Sequence, residues 1–317
     1  MLDVQTGSQR YADSRTANAY PLPCSQGLTW SRADDTAVAR VRLDHIAAQS
    51  IVIPSLSVVG AGDYAYEVAL VHAGVRWLLP PVPNPDRQTP PPPSNNAAQV
   101  STHIDCFYVH APLSEVTVEF RLRAGADPER FLLTVSWRPL QLDGPHRPQN
   151  SVCCTPPPAI SQMSQGGAAG PSICSPTCLA MILRGFGQRV ELLDIAQQCY
   201  DAGSKLYGVW PNAIRTAALR GSIGATEAIA SWAAAEHVLE QGYPLVASIR
   251  YDAGTLPGAP LQKTAGHLVV IHGTSPECVV TNDPAAPEVA SVPRTYPADA
   301  FTQAWLRHRG AAYILVP

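Results

Sequence analysis

The sequence predicts an α+β protein in two parts: a β-sandwich-like first half, then a half in which helices precede an antiparallel sheet. Three observations predict it. Up to residue ~140 the chain alternates apolar and polar residues with period two and shows no long amphipathic helix. From Cys174 onward the apolar spacing becomes helical, and after Pro244 strand-like runs return. The proline-rich stretches Gly144-Pro145-His146-Arg147-Pro148 and Thr155-Pro156-Pro157-Pro158 bracket the change, which places the domains at 1–148 and 149–317.

In the first half, strands are expected at Ala37–Leu43, Tyr64–Leu70, Glu115–Arg123 and Phe131–Trp137. Val116, Val118, Phe120 and Leu122 share one face of the third, and the turn Ala124-Gly125-Ala126-Asp127-Pro128 separates it from the fourth. Pro90-Pro91-Pro92-Pro93-Ser94-Asn95-Asn96 reads as an exposed, extended loop, because proline cannot donate to a central ladder.

In the second half a helix follows Cys174, and another is expected over Val190–Tyr200, with Leu192, Leu193, Ile195 and Ala196 apolar. Pro211–Leu219 suits a third helix with proline near its start. Trp232–Gln241 makes a fourth, stopped by Gly242 and Pro244. Strands follow at Leu245–Ile249, Leu268–Ile271, Cys278–Thr281 and Ala312–Val316.

Composition narrows the function. Of 317 residues, 46% are hydrophobic and 15% charged, enough to build real cores. A net charge of -3 argues against a nucleic-acid partner, which normally meets a basic face. Lys205 and Lys263 are the only lysines, so arginine carries the positive charge. The N-terminus, Met1-Leu2-Asp3-Val4-Gln5-Thr6-Gly7, has no basic region leading into an apolar run, and no window reaches the ~18 apolar residues needed to span a bilayer. A soluble, cytoplasmic protein without a membrane partner is expected. The oligomeric state is not readable. The spacing of the eight cysteines is too loose for a stapled mini-domain, so most read as buried thiols; the oxidation state of Cys24, Cys106, Cys153 and Cys154 stays open.

The chemistry concentrates on three positions. Pro176 marks the first turn of a helix, which sets the Cys174 sulfur beside unpaired backbone N–H groups and the positive end of the helix dipole. Both favour the thiolate. His267 follows Gly266 at the start of a strand, where another group can approach closely. Asp283 ends a hydrophobic strand just before Pro284, in position to accept from an imidazole; Asn282 is the fallback. Cys, His and Asp in that order suit a thiol nucleophile, its base and an orienting group. A zinc site pairing Cys174 and Cys178 with His267 and His272 is rejected, because strict alternation points the two histidines to opposite faces of a strand. Cys178 is then helix packing, and His272, His237 and His308 make structural or surface contacts. The second oxyanion donor is Gln162, with Gln165 as competitor. No cofactor or metal is called for.

With these residues in place, the stretch from about residue 155 to 317 resembles the stand-alone bacterial C39-like cysteine peptidases of the papain-like superfamily. The matching pieces are Ser161-Gln162-Met163, Cys174-Ser175-Pro176-Thr177, Leu179-Ala180-Met181, Tyr207-Gly208-Val209-Trp210-Pro211-Asn212, Gly266-His267-Leu268, Asn282-Asp283-Pro284-Ala285 and Tyr313-Ile314-Leu315-Val316-Pro317. The resemblance implies a papain-like fold with the cysteine helix packed on the sheet that bears the histidine. It implies Cys174 as nucleophile, His267 as general base, Asp283 as orienter and Gln162 as oxyanion donor, acting on a peptide or amide substrate through an acyl-enzyme. A silent peptide-binding module of the same fold and an amidase or acyltransferase using the same thiol are the alternatives. Cys178 departs from the pattern, which usually has Ser or Ala there, and the stretch from Gln162 to Cys174 is longer than in the members that process double-glycine leader peptides.

Overall fold

A computed structural model describes residues 6–85, 98–125, 128–142, 147–165 and 167–317. The expected loop at 90–96, residues 126–127 of the predicted turn, 144–146 of the junction and residues 1–5 of the N-terminus lie outside the described residues.

The four strands expected in the first half form, each a little longer, as Thr36–Ile46, Ala65–His72, Leu113–Arg123 and Arg130–Pro139. The first three lie in one antiparallel sheet, ordered Ser31–Ala33, Thr36–Ile46, Leu113–Arg123, Ala65–His72, Val75–Leu78. The fourth joins a second sheet, ordered Gly7–Ala12, Arg130–Pro139, Ser50–Val59, Phe107–Val109, Val100–Thr102. Val116, Val118, Phe120 and Leu122 are buried together with Val52, Leu56, Val58, Leu133 and Val135 of the other sheet, so one apolar layer fills the space between them.

The strand Ser50–Val59 had no period-two signature because nearly all of it is buried, on both faces. It even contains a proline. Its neighbour Phe107–Val109 pairs only with Ser50–Val52, so Pro54 lies beyond that ladder.

A third antiparallel sheet, of six strands in line, runs Ile223–Ala228, Ala311–Val316, Leu245–Tyr251, Thr264–Thr274, Cys278–Asn282, Pro293–Pro297, and Val152–Cys153 also pairs with Thr264–Thr274. Helices Cys174–Gly185, Leu192–Cys199 and Trp210–Leu219 share a core with Leu268 and Val270. Trp232–Glu240 and Ala298–Ala304 share another with Val269 and Ile271. Alternation along one strand thus assigns the two layers. The expected order of helices followed by strands is broken by Ile223–Ala228, a strand of small residues lying between two helices.

That strand is where the halves meet. One of its edges pairs with Ala311–Val316; on the other, the N–H groups of Gly224, Thr226 and Ala228 donate to the hydroxyls of Ser57, Ser55 and Ser136, at 3.4, 3.1 and 2.8 Å. Three serines of the second sheet therefore complete an edge that would otherwise bury unpaired donors. Beside them Arg10 forks onto the buried Glu227, at 2.7 and 3.2 Å. Arg138 is wholly buried without an acidic partner and instead donates to the carbonyls of Ile229, Leu306 and its neighbour Pro139. Burial lowers its pKa to about 10. Gly310 gives it room: φ is +59° there, and a Cβ would come within 2.0 Å of the guanidinium.

Candidate active site

The helix Cys174–Gly185 is buried from Ser175 to Leu183, and Cys174 opens it half-exposed. Pro176 falls in the first turn, where a missing N–H costs nothing. The hydroxyl of Tyr313, on the last strand, donates to the Ser175 carbonyl at 3.0 Å and so pins that turn. One turn further, Cys178 is wholly buried, and its thiol donates to the Leu268 carbonyl at 3.3 Å. The helix is thereby held against the strand that carries His267.

His267 is buried, while Ala265 and Gly266 just before it are exposed. Its Nε2 lies 2.8 Å from Asp283 Oδ1. The ring is also close enough to the Cys174 side chain to influence its charge, and with Nε2 engaged the nitrogen left for the sulfur is Nδ1. Asp283 is fully buried and fully used. Oδ1 also accepts from the Ala285 N–H at 2.9 Å, and Oδ2 accepts from the Tyr296 hydroxyl at 2.6 Å. Asn282, the fallback, turns away and donates to the Pro157 carbonyl at 2.9 Å.

The electrostatics follow from this chain of contacts. Burial alone would raise the Cys174 pKa, but the hydrogen bond and positive charge of His267, with backbone hydrogen bonds from Leu268 and Ser175, leave it lowered. Burial would lower His267; the Asp283 charge and hydrogen bond and the contact with Cys174 leave it raised. For Asp283 burial again opposes the charged form, and His267, Tyr296 and the Ala285 N–H outweigh it, so its pKa falls. All three shifts favour a thiolate–imidazolium pair beside an ionised carboxylate. Burial and the Asp283 charge raise Tyr296, so it stays a donor.

Gln162 begins the short helix Gln162–Gln165 and is buried; Gln165 is exposed. The Gln162 N–H donates to the Pro284 carbonyl at 2.9 Å, and Ser161 Oγ donates to the Ala286 carbonyl at 2.6 Å, which tie this segment to the loop after Asp283. Gln162 Nε2 donates to the Gly170 carbonyl at 2.7 Å, and Oε1 has no partner. Gly170 is required there, since a Cβ would meet the Gln162 carbonyl oxygen at 2.9 Å. One amide hydrogen of Gln162 remains for another acceptor.

His272 shows where alternation failed as an argument. The ladder between Thr264–Thr274 and Cys278–Asn282 slips between Ile271 and Gly273, so His272 is the extra residue of a bulge and parity does not count through it. It is buried beside Asn282, and burial lowers its pKa. The sequence reading missed Tyr296 and Ser175–Tyr313 as supports; nothing local distinguishes Tyr296 from any buried tyrosine. A cleft lined by Tyr108 and Leu140 of the first half and by Ile249, Ala265, Gly266 and Arg309 of the second reaches the backbone just before His267, with none of Cys174, His267, Asp283 and Gln162 in its wall. All eight cysteines are free thiols, Cys24, Cys106, Cys153 and Cys154 included.

No curated protein sequence matches the chain. Among solved structures, a putative C39-like peptidase from Bacillus anthracis is 20% identical over 53% of this chain and 98% of its own, with a TM-score of 0.41. A double-glycine-motif protease from an AMS/PCAT transporter, in complex with a leader peptide, is 19% identical over 54% of this chain and 98% of its own, TM-score 0.37. The peptidase domain of Streptococcus ComA, a bifunctional ABC transporter, is 14% identical over 46% of this chain and 93% of its own, TM-score 0.34. The model of the Peptidase_C39 like family matches residues 156–313, a span that runs from before Gln162 to Tyr313 and contains every residue of the site described above. The second half of this chain belongs to the C39-like peptidase family.

Proposed function

We propose that the protein is a cysteine hydrolase that cleaves peptide or amide bonds, with Cys174 as nucleophile, His267 as general acid and base, Asp283 as orienter and Gln162 as an oxyanion donor. One arrangement carries the reading: an imidazole whose Nε2 lies 2.8 Å from a buried carboxylate also acts on the Cys174 sulfur at a helix start, lowering the thiol pKa as its own is raised. Membership of a peptidase family supports the reaction class.

The Cys174 thiolate attacks the carbonyl carbon, and the carbonyl π pair moves onto oxygen. Backbone N–H groups at the helix start and the remaining Gln162 amide hydrogen offset that charge. As the C–N bond breaks, the His267 proton passes to the leaving amine. Water then attacks the thioester carbon while His267 takes its proton; the C–S bond breaks, the carboxylic acid leaves and the resting pair returns. Asp283 keeps the ring in one tautomer and orientation throughout.

The boundary at about residue 148 also belongs to this proposal: residues 1–148 act as a β-sandwich accessory domain on a catalytic domain of residues 149–317. The cleft supports such a role, since Tyr108 and Leu140 line it together with Gly266, the residue before His267.

Turnover of a peptide library by the purified protein, set beside Cys174→Ala and a thiol-directed acylating probe, tests the reading. Cleavage and labelling lost together in the variant is the expected result. Equal cleavage by Cys174→Ala refutes it, and amide transfer to added amines without peptide cleavage identifies an acyltransferase instead.

A further inference from the structure

Away from this site, three potential ligands crowd one turn of the first half. His103, Asp105 and Cys106 lie between the strands Val100–Thr102 and Phe107–Val109, in a turn closed by the His103 N–H donating to the Cys106 carbonyl at 2.8 Å. A ring nitrogen, a carboxylate oxygen and the sulfur all lie within 4.8 Å of one another, a grouping no other residues make among the described ones. We propose that His103, Asp105 and Cys106 bind a divalent transition-metal ion of the zinc class.

The second observation is an unmet need. Asp105 is 5% exposed, and its Oδ1 has no hydrogen-bond donor; the nearest charge partner is His103 Nδ1 at 3.5 Å, too far for a hydrogen bond. A buried carboxylate oxygen without a donor is costly, and a bound cation supplies what it lacks. Cys106 is wholly buried beside it, its sulfur within 4.8 Å of the Asp105 and His103 ligand atoms. Binding exchanges the thiol proton for the metal: the S–H bond breaks, an S–metal bond forms and a proton enters solvent.

The donor set selects the ion. Imidazole nitrogen, carboxylate oxygen and thiolate sulfur together suit zinc or cobalt rather than magnesium or calcium. Three protein ligands leave a fourth place for water or for the phenol of Tyr108, two residues further along the hairpin. The charged group facing the turn from elsewhere is Arg309, stacked over the Tyr108 ring at 5.9 Å and within electrostatic reach of Cys106. With a thiolate and a carboxylate as ligands, a dication is tolerated beside it. The metal would brace the hairpin that carries Tyr108, one wall of the cleft next to Gly266.

Cobalt titration of the full chain carrying Cys174→Ser, which removes the other thiolate–imidazole pair, tests the site. One equivalent of Co2+ should produce a thiolate-to-cobalt charge-transfer band, displaced by Zn2+. His103→Ala changes an exposed side chain and should keep the fold, as melting will verify, while weakening binding by roughly tenfold or more. Asp105→Asn should do the same, and Cys106→Ala should abolish the band. No uptake, or a band unchanged in His103→Ala and Cys106→Ala alike, overturns the site and leaves the His103–Asp105 pair and Arg309 as the balance for that carboxylate.

Discussion

The Tyr296 hydroxyl donates to Asp283 Oδ2 at 2.6 Å while His267 holds the other oxygen at 2.8 Å, so the carboxylate is gripped from both sides. Removing the phenol leaves the ring contact intact but strips a hydrogen bond from a charged group, a loss of about 1.5–3 kcal/mol. Tyr296→Phe keeps the stacking on Phe301. It should lower kcat/KM about tenfold or more in a protein that still folds but melts at a lower temperature, and move the acid limb of the pH profile upward. Unchanged activity and an unmoved limb would show that Tyr296 only fills the core.

Gln162 offers a sharper kinetic signature. If its free amide hydrogen meets the oxyanion, Gln162→Ala should cost about 10²–10³ in kcat and leave KM nearly constant. Gly170→Ala, which presses on the Gln162 carbonyl, should reproduce part of that loss. A change confined to KM would assign Gln162 to substrate binding.

Stability should depend on pH through the same residues. The Asp283 pKa is lowered on folding, so its contribution is present above the unfolded value near ~3.9 and disappears as pH falls through the lower folded value. His267 is raised, so its contribution is full below ~6.5 and disappears as pH rises through the folded value. The melting temperature of Asp283→Asn should therefore fall furthest below wild type between about pH 4 and 6.5, and the gap should narrow in acid and again towards alkaline pH. A gap that is constant with pH would remove the charge from the explanation.

The serine-lined edge predicts how far the halves depend on each other. Ser136→Ala leaves the Ala228 N–H buried and unpaired and should destabilise by about 1–3 kcal/mol, read as a lower melting temperature. Residues 149–317 expressed alone expose the Ile223–Ala228 edge and should associate or aggregate, measured by light scattering. A monomeric fragment with wild-type stability would contradict this.

Much of the site was legible because its chemistry is local: Pro176 after a cysteine, Gly266 before a histidine, Asp283 at a strand end. The strand around Val116 was legible because its alternation survives, and Phe131–Trp137, though buried on both faces, because a turn signal sets it off from its neighbour. Ser50–Val59 and Ile223–Ala228 were not, since burial on both sides erases the period and small residues hide the strand. Ser55 and Ser57 carry no local signal; the N–H groups of the neighbouring strand Ile223–Ala228 explain them. His272 escaped the parity count through a bulge, and Tyr296 through distance in sequence, which no motif spans.

The central claim concerns one sulfur. Alkylation of Cys174, followed site by site by mass spectrometry across pH, measures its thiolate directly. Wild type should react with a midpoint below the ~8.5 of an unperturbed cysteine, and His267→Ala should lose that shift. A midpoint at or above 8.5 in wild type, or one indifferent to His267, would contradict the account.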